Sequence, residues 1–433
     1  MYLGTDNETR QVIGYPGDRH LLTIGPTRSG KSRRLLIPNL LYETGRSMLV
    51  VDIKGELAAF TAAHRAAKGG KVLALDPFGI LASKNVKVPV VGFNPMQTLN
   101  PDDENFVDDA MMLAEAMVQV TTEMKEPHFA ESAQDVVAGL IMWCKQAFKE
   151  KASLRLVRKM ICQPKDNFKV MYATAKRAGA NEAVFAKLAR FENPAADNRE
   201  LDGVLSTAQT QTRFLDSPGI ARSLENGMVD FGAMKATNTT VYLVLPPSKL
   251  MTHAKWLRLV ISSAMTAMQV TVKANDRPDV LFLLDEFAQL GRLQAVETAV
   301  SLNAGYGVKV WAAVQHLGQL KDLYNDNWET FLSASCVTAF APRDVFTRDH
   351  LTKMIGTGTK PMRSITTGPE GEKSVATSAQ KDDLMSPHQW RQMVMGEFFA
   401  FIPTDKGELI KRIHSPDFTA LPEVKNGTIR AAA

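Results

Sequence analysis

Eight residues, Gly25-Pro26-Thr27-Arg28-Ser29-Gly30-Lys31-Ser32, decide most of what this chain can fold into. They match G-x-x-x-x-G-K-[ST] and lie where an apolar run at 21–24 gives way to helical periodicity over 31–41. A strand that hands over to a helix through such a loop is a phosphate-binding loop. Its glycines let the backbone wrap a phosphate, and successive N–H groups and the helix N-terminus face the anion. Gly25 through Ser32 are therefore the candidate nucleotide-binding residues. Lys31 is the candidate cation for the β- and γ-phosphates, and the Ser32 hydroxyl the candidate ligand for Mg²⁺. ATP and Mg²⁺ are the expected cofactors.

The loop opens an alternating pattern. A second apolar run at 48–53 follows the first helix, and a third at 71–75 follows a helical stretch over 57–67. Strand and helix in alternation predict right-handed crossovers and a parallel sheet, hence an α/β fold. With 433 residues the chain predicts two or three domains. A hydrophobic content of 45% and a charged content of 22% exclude a disordered or fibrous chain.

After Pro95 the pattern changes, and about 110 residues carry helical periodicity without a convincing β-branched run. The reading divides the chain into a first nucleotide-binding part at 1–101, an inserted all-helical domain at 102–205 and a second nucleotide-binding part at 206–433. Charge segregates inside the insertion: residues 102–135 hold ten acids against one lysine, and 145–177 hold ten basic residues against two acids. Such faces serve either solvation or docking.

Strand candidates resume at 241–245, 280–284, 308–314, 337–340 and 398–402, and the polar stretch from 356 to 383 predicts a mobile loop or short hairpin. The 280–284 run ends in Asp285-Glu286. Carboxylates at the end of a strand beside the phosphate loop suit two tasks: Asp285 would hold the metal through water, and Glu286 would orient or deprotonate the attacking water. Gln315 ends the 308–314 run and is either a γ-phosphate sensor or a polar strand terminus. The catalytic candidates are thus Lys31, Glu286 and Gln315, and the metal candidates Ser32 and Asp285.

A formal charge of +5 permits a nucleic-acid partner without requiring one. Cys144, Cys162 and Cys336 are far apart and show no metal-ligand spacing. The longest apolar runs stop far short of the roughly 18 residues that span a bilayer. Residues 1–10 are polar and lack the apolar core of a secretory signal, so a cytoplasmic location is expected.

These residues resemble a known family. The phosphate loop followed by Leu36-Ile37-Pro38-Asn39-Leu40, then Val51-Asp52-Ile53-Lys54-Gly55-Glu56-Leu57 and Asp76-Pro77, is similar to the TraG/TraD-like coupling-protein ATPases of conjugation and type IV secretion. Leu284-Asp285-Glu286-Phe287, Ala304-Gly305-Tyr306-Gly307, Gln315 with Gln319-Leu320 and the stretch 390–403 resemble the same family in order and approximate spacing. The resemblance implies a RecA-like P-loop NTPase with a central, mostly parallel sheet interrupted by an all-α domain. It implies a homo-hexameric ring with ATP at subunit interfaces. The implied partners are DNA, relaxase or relaxosome proteins, or protein effectors, and type IV secretion channel subunits at the cytoplasmic face of the inner membrane. The Asp52-Lys54-Glu56 set is a family signature that lies either near the nucleotide or in a supporting role.

The chain departs from the family in two respects. Typical members carry membrane helices before the phosphate loop, whereas 24 residues precede Gly25 here, so the chain is expected to be a soluble part or to reach the membrane through partners. The trans arginine of the ring is not evident: Arg19, Arg292, Lys309, Arg343 and Arg348 are the candidate cations. Three functions stay open at this point. They are a ring motor that moves DNA, a cargo-docking adaptor with a gating ATPase, and a related helicase or packaging motor.

Overall fold

Apolar runs with no polar alternation become inner parallel strands, because both faces of such a strand are covered. The computed structural model describes residues 1–433 except 121–125, 193–198, 226, 228, 275, 303–304, 368–372 and 430–433, and gives the backbone alone for 360–367 and 373–382. The chain forms two units, Met1–Glu43 with Trp311–Ile429, and Thr44–Val310. The fold is α/β.

In the Thr44–Val310 unit the strands Lys71–Leu75, Thr239–Val244, Met48–Asp52 and Val280–Leu284 pair in parallel in that order. Val50 lies opposite Tyr242 on one side and Leu283 on the other. The phenol of Tyr242 is fully buried and is satisfied by Thr61 Oγ1 at 2.6 Å, on the crossover helix Glu56–Ala67. Among the described residues no strand occurs between Leu75 and Thr239. The intervening chain instead folds into helices Phe106–Met117, Pro127–Phe148, Leu154–Ile161, Lys165–Arg177, Glu182–Leu188 and Arg199–Gln211. Ser153 and Asn181 cap two of them through their side-chain oxygens, the usual work of these residues at a helix start.

Asp52 and Asp76 end their strands in the same way. Asp52 Oδ1 accepts from Glu56 N at 3.0 Å and Oδ2 from Ala58 N at 2.8 Å, while Asp76 accepts from Ile80 N and Leu81 N. Each Asp is followed three residues later by a left-handed glycine, Gly55 at φ 67° and Gly79 at φ 70°, from which a helix starts. Asp-x-x-Gly is thus a repeated strand-to-helix turn. Asp52 therefore plays a supporting part in its own unit.

In the other unit the strand His20–Ile24 pairs in parallel with Trp311–Val314 on one side and with Ser335–Phe340 on the other. A buried polar thread crosses all three: Trp311 Nε1 donates to Thr23 Oγ1 at 2.9 Å, and Thr23 Oγ1 lies 2.8 Å from Thr338 Oγ1. Beyond Ser335–Phe340 the pairing turns antiparallel, through Glu397–Thr404, Gly407–His414, Tyr2–Asp6 and Val12–Gly14. The N-terminal residues and the Gly407–His414 return were not legible as strands. The polar stretch read as a loop or short hairpin is an antiparallel hairpin with eleven residues in each arm, Thr357–Thr367 and Lys373–Asp383, paired from Thr357 opposite Asp383 to Thr367 opposite Lys373. β-Branched residues within a polar composition account for the difference. Residues 368–372 lie outside the described residues, as does Ala304 of the Ala304-Gly305-Tyr306-Gly307 motif.

Candidate functional site

The phosphate loop grows out of the buried His20–Ile24 strand. Gly25 N donates to Val314 O at 2.9 Å, the last rung before the chain leaves the sheet. A Cβ on Gly25 would lie 2.7 Å from Ser29 Oγ, so the loop closes tightly only with glycine there. Arg28 at φ 66° and Gly30 at φ 92° then reverse the hand of the backbone, with Ser29 N bonded to Pro26 O at 3.1 Å. Alternating hand is the geometry that turns successive N–H groups toward one point, where an anion can sit. Holding Arg28 left-handed is strained for a non-glycine residue.

Within this loop the Ser29 hydroxyl is buried and has no hydrogen-bond partner among the described residues. A buried hydroxyl left this way costs free energy unless a ligand supplies the partner. Lys31 is 5% exposed, and Ser32 is half-buried at the start of a π-helical turn, Ser32–Leu36, that continues into the helix Ile37–Tyr42. Single π turns are frequent at functional sites. The donor set of an orphan hydroxyl, a lysine at a helix start and a serine hydroxyl fits a nucleoside triphosphate with Mg²⁺. This ion needs few protein oxygens once phosphates supply the rest.

The π turn is held from two sides. Asn39, fully buried, accepts from Tyr2 N and donates to both Tyr2 O and Leu35 O, each at 2.8 Å. From the C-terminal side Arg34 Nη1 donates to Ser415 O at 2.9 Å, and Ser415 Oγ returns a bond to Arg34 O. Arg33 makes a two-pronged pair with Asp417 at 2.7 and 2.9 Å and lies 4.6 Å over the Phe418 ring. Burial raises the Asp417 pKa, but the Arg33 and Thr419 hydrogen bonds outweigh it and hold the carboxyl below its ordinary range. Tyr42 closes the far end by donating to Glu423 Oε2 at 3.0 Å. This C-terminal strap had no signal in the sequence beyond its polar composition.

Gln315 is brought to the loop. Its Oε1 accepts from Thr27 Oγ1 at 3.3 Å, and its backbone N–H is fixed by Gln319 Oε1 at 2.9 Å, which gives the Gln315-Gln319 pair a physical meaning. Beside Pro26, Arg28 and Ser29 opens a cavity of about 460 Å³, also lined by Phe340, Trp390, Arg343, Arg348 and Arg391. Two of the candidate trans cations, Arg343 and Arg348, thus face a cavity beside the loop of their own chain. Arg348 is 8% exposed with Asp349 at 3.8 Å, too buried to reach a neighbour. Arg19 is engaged with Ser333 O at 3.1 Å, Arg292 with Glu297 at 3.0 Å, and Lys309 is buried.

Asp285 and Glu286 belong to the Thr44–Val310 unit and end its Val280–Leu284 strand, which is buried along its whole length. Both are half-buried. Asp285 Oδ1 accepts from Glu286 N at 3.0 Å, and Glu286 adopts a left-handed backbone, φ 52° and ψ 43°, before the short helix Phe287–Leu290. A glutamate there is strained by about 1 kcal/mol or more, and such strain clusters at functional sites. Fully buried Phe287 and Leu290 anchor the turn from below. Asp52, one strand over, is so deeply buried that its pKa is pushed up to about 6, against the backbone N–H groups that lower it.

A family model for conjugative DNA transfer by the type IV secretory system matches residues 4–412. The chain belongs to this family. Among curated relatives of the type IV transfer family, the chain is 28% identical to protein VirD4 of Agrobacterium fabrum (strain C58 / ATCC 33970) over 381 residues, covering 86% of this chain and 55% of that protein. It is 27% identical to conjugal transfer protein TraG of Escherichia coli, covering 82% of this chain and 58% of that one. The chain therefore spans little more than half the length of these relatives. Among solved structures it is similar to the conjugative coupling protein TrwBdeltaN70 in an unbound form, with TM-score 0.68, 16% identity, and 95% and 90% of the two chains covered. Plasmid coupling protein TrwB in complex with ADP and Mg²⁺ follows at TM-score 0.67 and 15% identity, with 92% and 85% covered. At these identities the likeness is one of fold.

Proposed function

We propose that this chain is the ATP-hydrolysing part of a coupling protein that links DNA, carried as a relaxosome, or a protein effector to a type IV secretion channel and drives its translocation. The observation that carries the reading is the phosphate loop of a transfer-family chain, with its reversed backbone hand and its buried, partnerless Ser29 hydroxyl. Gly25 through Ser32 would wrap the phosphates, with Lys31 neutralising charge that builds on the γ-phosphate. Ser32 and Asp285 would hold Mg²⁺, which when bound draws charge from the β- and γ-oxygens. Glu286 would take the proton of the attacking water, and Gln315, tethered at Thr27, would sense whether the γ-phosphate is present. In this reading 1–101 and 206–433 build the nucleotide-binding domain, and 102–205 is a helical domain inserted in it. The chain would work as a homo-hexamer with its partners at the cytoplasmic face of the inner membrane. Among the described residues no helix is long and apolar enough to cross a membrane.

The test is ATP hydrolysis by the chain alone, with single- or double-stranded DNA, and with candidate cargo proteins. Stimulation by DNA regardless of sequence, weakening steeply with salt, is expected of a motor that grips phosphates. Stimulation by cargo with no DNA effect would replace the motor with a docking adaptor. No hydrolysis under any of these conditions would overturn the ATPase assignment.

A further inference from the structure

Buried arginines occur in two states in the Thr44–Val310 unit. Arg65, 1% exposed, is satisfied: its Nε donates to Thr240 Oγ1 and its Nη2 to Arg46 O, both at 2.7 Å. Arg258, 7% exposed, donates through Nη1 to Leu290 O at 2.8 Å, but its buried Nε has no partner among the described residues. Burial pushes its pKa down to about 10, with no carboxylate opposing the shift. A buried cation without a counter-ion is costly to keep, so the site is built for an anion that arrives.

Arg258 lies in the wall of a cavity of about 540 Å³, bounded by the helices Phe106–Met117, Pro247–Val270 and Gln294–Ser301. That is the size of a ligand site. The other lining cation, Arg292, is paired with Glu297. Glu115 is the one carboxylate among the lining residues, and burial holds it above its ordinary range. Among the described residues Arg258 makes no ion pair, so its charge is the one left without a direct partner at the wall. The wall also exposes Met112 and Val120, 38% and 40% accessible. Gln119 and Gln134 donate their Nε2 groups to Arg292 O and Val118 O, which leaves their side-chain oxygens as acceptors.

We propose that this cavity takes the side-chain carboxylate of an acidic, partly apolar partner peptide, with Arg258 as its counter-ion. A carboxylate on a slim stem can reach a guanidinium at this depth, and its one charge matches the one that lacks a partner. A dianionic phosphate would find half the compensation it needs. The apolar and amide groups at the wall suit the main chain and neighbouring side chains of a peptide. The site also touches the turn that begins at Glu286, because the carbonyl held by Arg258 is that of Leu290, the last residue of the Phe287–Leu290 helix.

The test uses the full chain and capped, fluorescein-labelled peptides with one Glu flanked by Leu and Ala, beside identical peptides with Gln or phosphoserine in its place. Fluorescence anisotropy is expected to show the Glu peptide binding about tenfold or more tightly than the Gln peptide, the scale of one charge-assisted contact. Arg258→Met is expected to erase that preference. Glu115→Gln removes the repelling carboxylate, leaves the Arg258–Leu290 bond intact and is expected to tighten Glu-peptide binding. It decides the matter if Arg258→Met does not fold. Equal affinity for Glu and Gln peptides, or a preference that survives Arg258→Met, overturns the proposal. Tighter binding of the phosphoserine peptide would make this a phosphate site instead. Self-association lost on Arg258→Met would put a second copy of this chain in the cavity.

Discussion

Replacing Asn39 with leucine should loosen the phosphate loop without touching a residue proposed to meet the nucleotide. Asn39 is fully buried and makes three hydrogen bonds, from Tyr2 N and to Tyr2 O and Leu35 O, all at 2.8 Å. Leucine has the same branched shape and is somewhat larger, so no cavity is made and the cost is chiefly one of polarity. Tyr2 N loses the acceptor supplied by Asn39, at about 1–3 kcal/mol for a buried unsatisfied donor. The two donated bonds add about 1 kcal/mol each, since both carbonyls belong to regular structure that satisfies part of their capacity. The sum is about 3–5 kcal/mol, a large part of the stability of an ordinary domain. Asn39→Asp separates the causes: it keeps an acceptor for Tyr2 N but sets carboxylate oxygen against two carbonyls, so it should destabilise more than leucine does at neutral pH. Urea unfolding followed by tryptophan fluorescence measures stability, and a fluorescent ATP analogue measures loop integrity. Affinity should fall in the same order as stability, because Leu35 lies in the π turn that carries Ser32. A leucine variant within about 1 kcal/mol of the parent, or an aspartate variant more stable than it, would refute the reasoning.

Lys31→Ala should abolish hydrolysis while the chain stays folded, as read by phosphate release and circular dichroism; hydrolysis near the parent rate would sink the loop assignment. Glu286→Gln should bind ATP and fail to turn it over, measured as ATP retained after rapid gel filtration, with fast turnover counting against Glu286 as the base. Asp52 carries a pH signature whose sign follows from its folded pKa of about 6 against an ordinary 3.8. The folded state holds that proton more tightly than the unfolded state, so the cost of its buried charge is absent below about pH 4 and complete above about pH 6. Stability should therefore fall as pH rises through that window. In Asp52→Asn this fall should flatten in pH-dependent urea titrations, and an unchanged slope would show that other groups produce it.

Legibility followed locality. The phosphate loop, the Asp285-Glu286 strand end and the inner strands could be read because each signal lies within a few adjacent residues and both faces of those strands are apolar. The return strand Gly407–His414 mixes charged and apolar residues without a two-residue alternation and leaves most of its length exposed or half-exposed, so it looks like surface chain. Tyr2–Asp6 is short and holds a glycine at φ 144°, and it pairs with the three-residue strand Val12–Gly14 on one side and with residues about 400 positions away on the other. The same distance hid the strap at 415–425, whose grip on Arg33 and Arg34 no local pattern announces. Asn39 was noticed as part of a resemblance, but its role was invisible until Tyr2 was placed beside it.

Arg258 was not singled out in the sequence, although a local signal exists. It interrupts the run Trp256-Leu257-Arg258-Leu259-Val260-Ile261, where every neighbour is buried. A lone cation inside such a run is either an error of helical phase or a charge with an assigned partner. Arg65 shows that this unit satisfies a buried guanidinium when it needs one only for packing. The contrast matters because Arg258 holds the carbonyl of Leu290, and Leu290 closes the turn that Glu286 opens. An anion that pulled on the guanidinium from the cavity side would compete for the same donors. It would therefore act on the strained residue at the head of that turn through one hydrogen bond and four residues of chain, within a single unit.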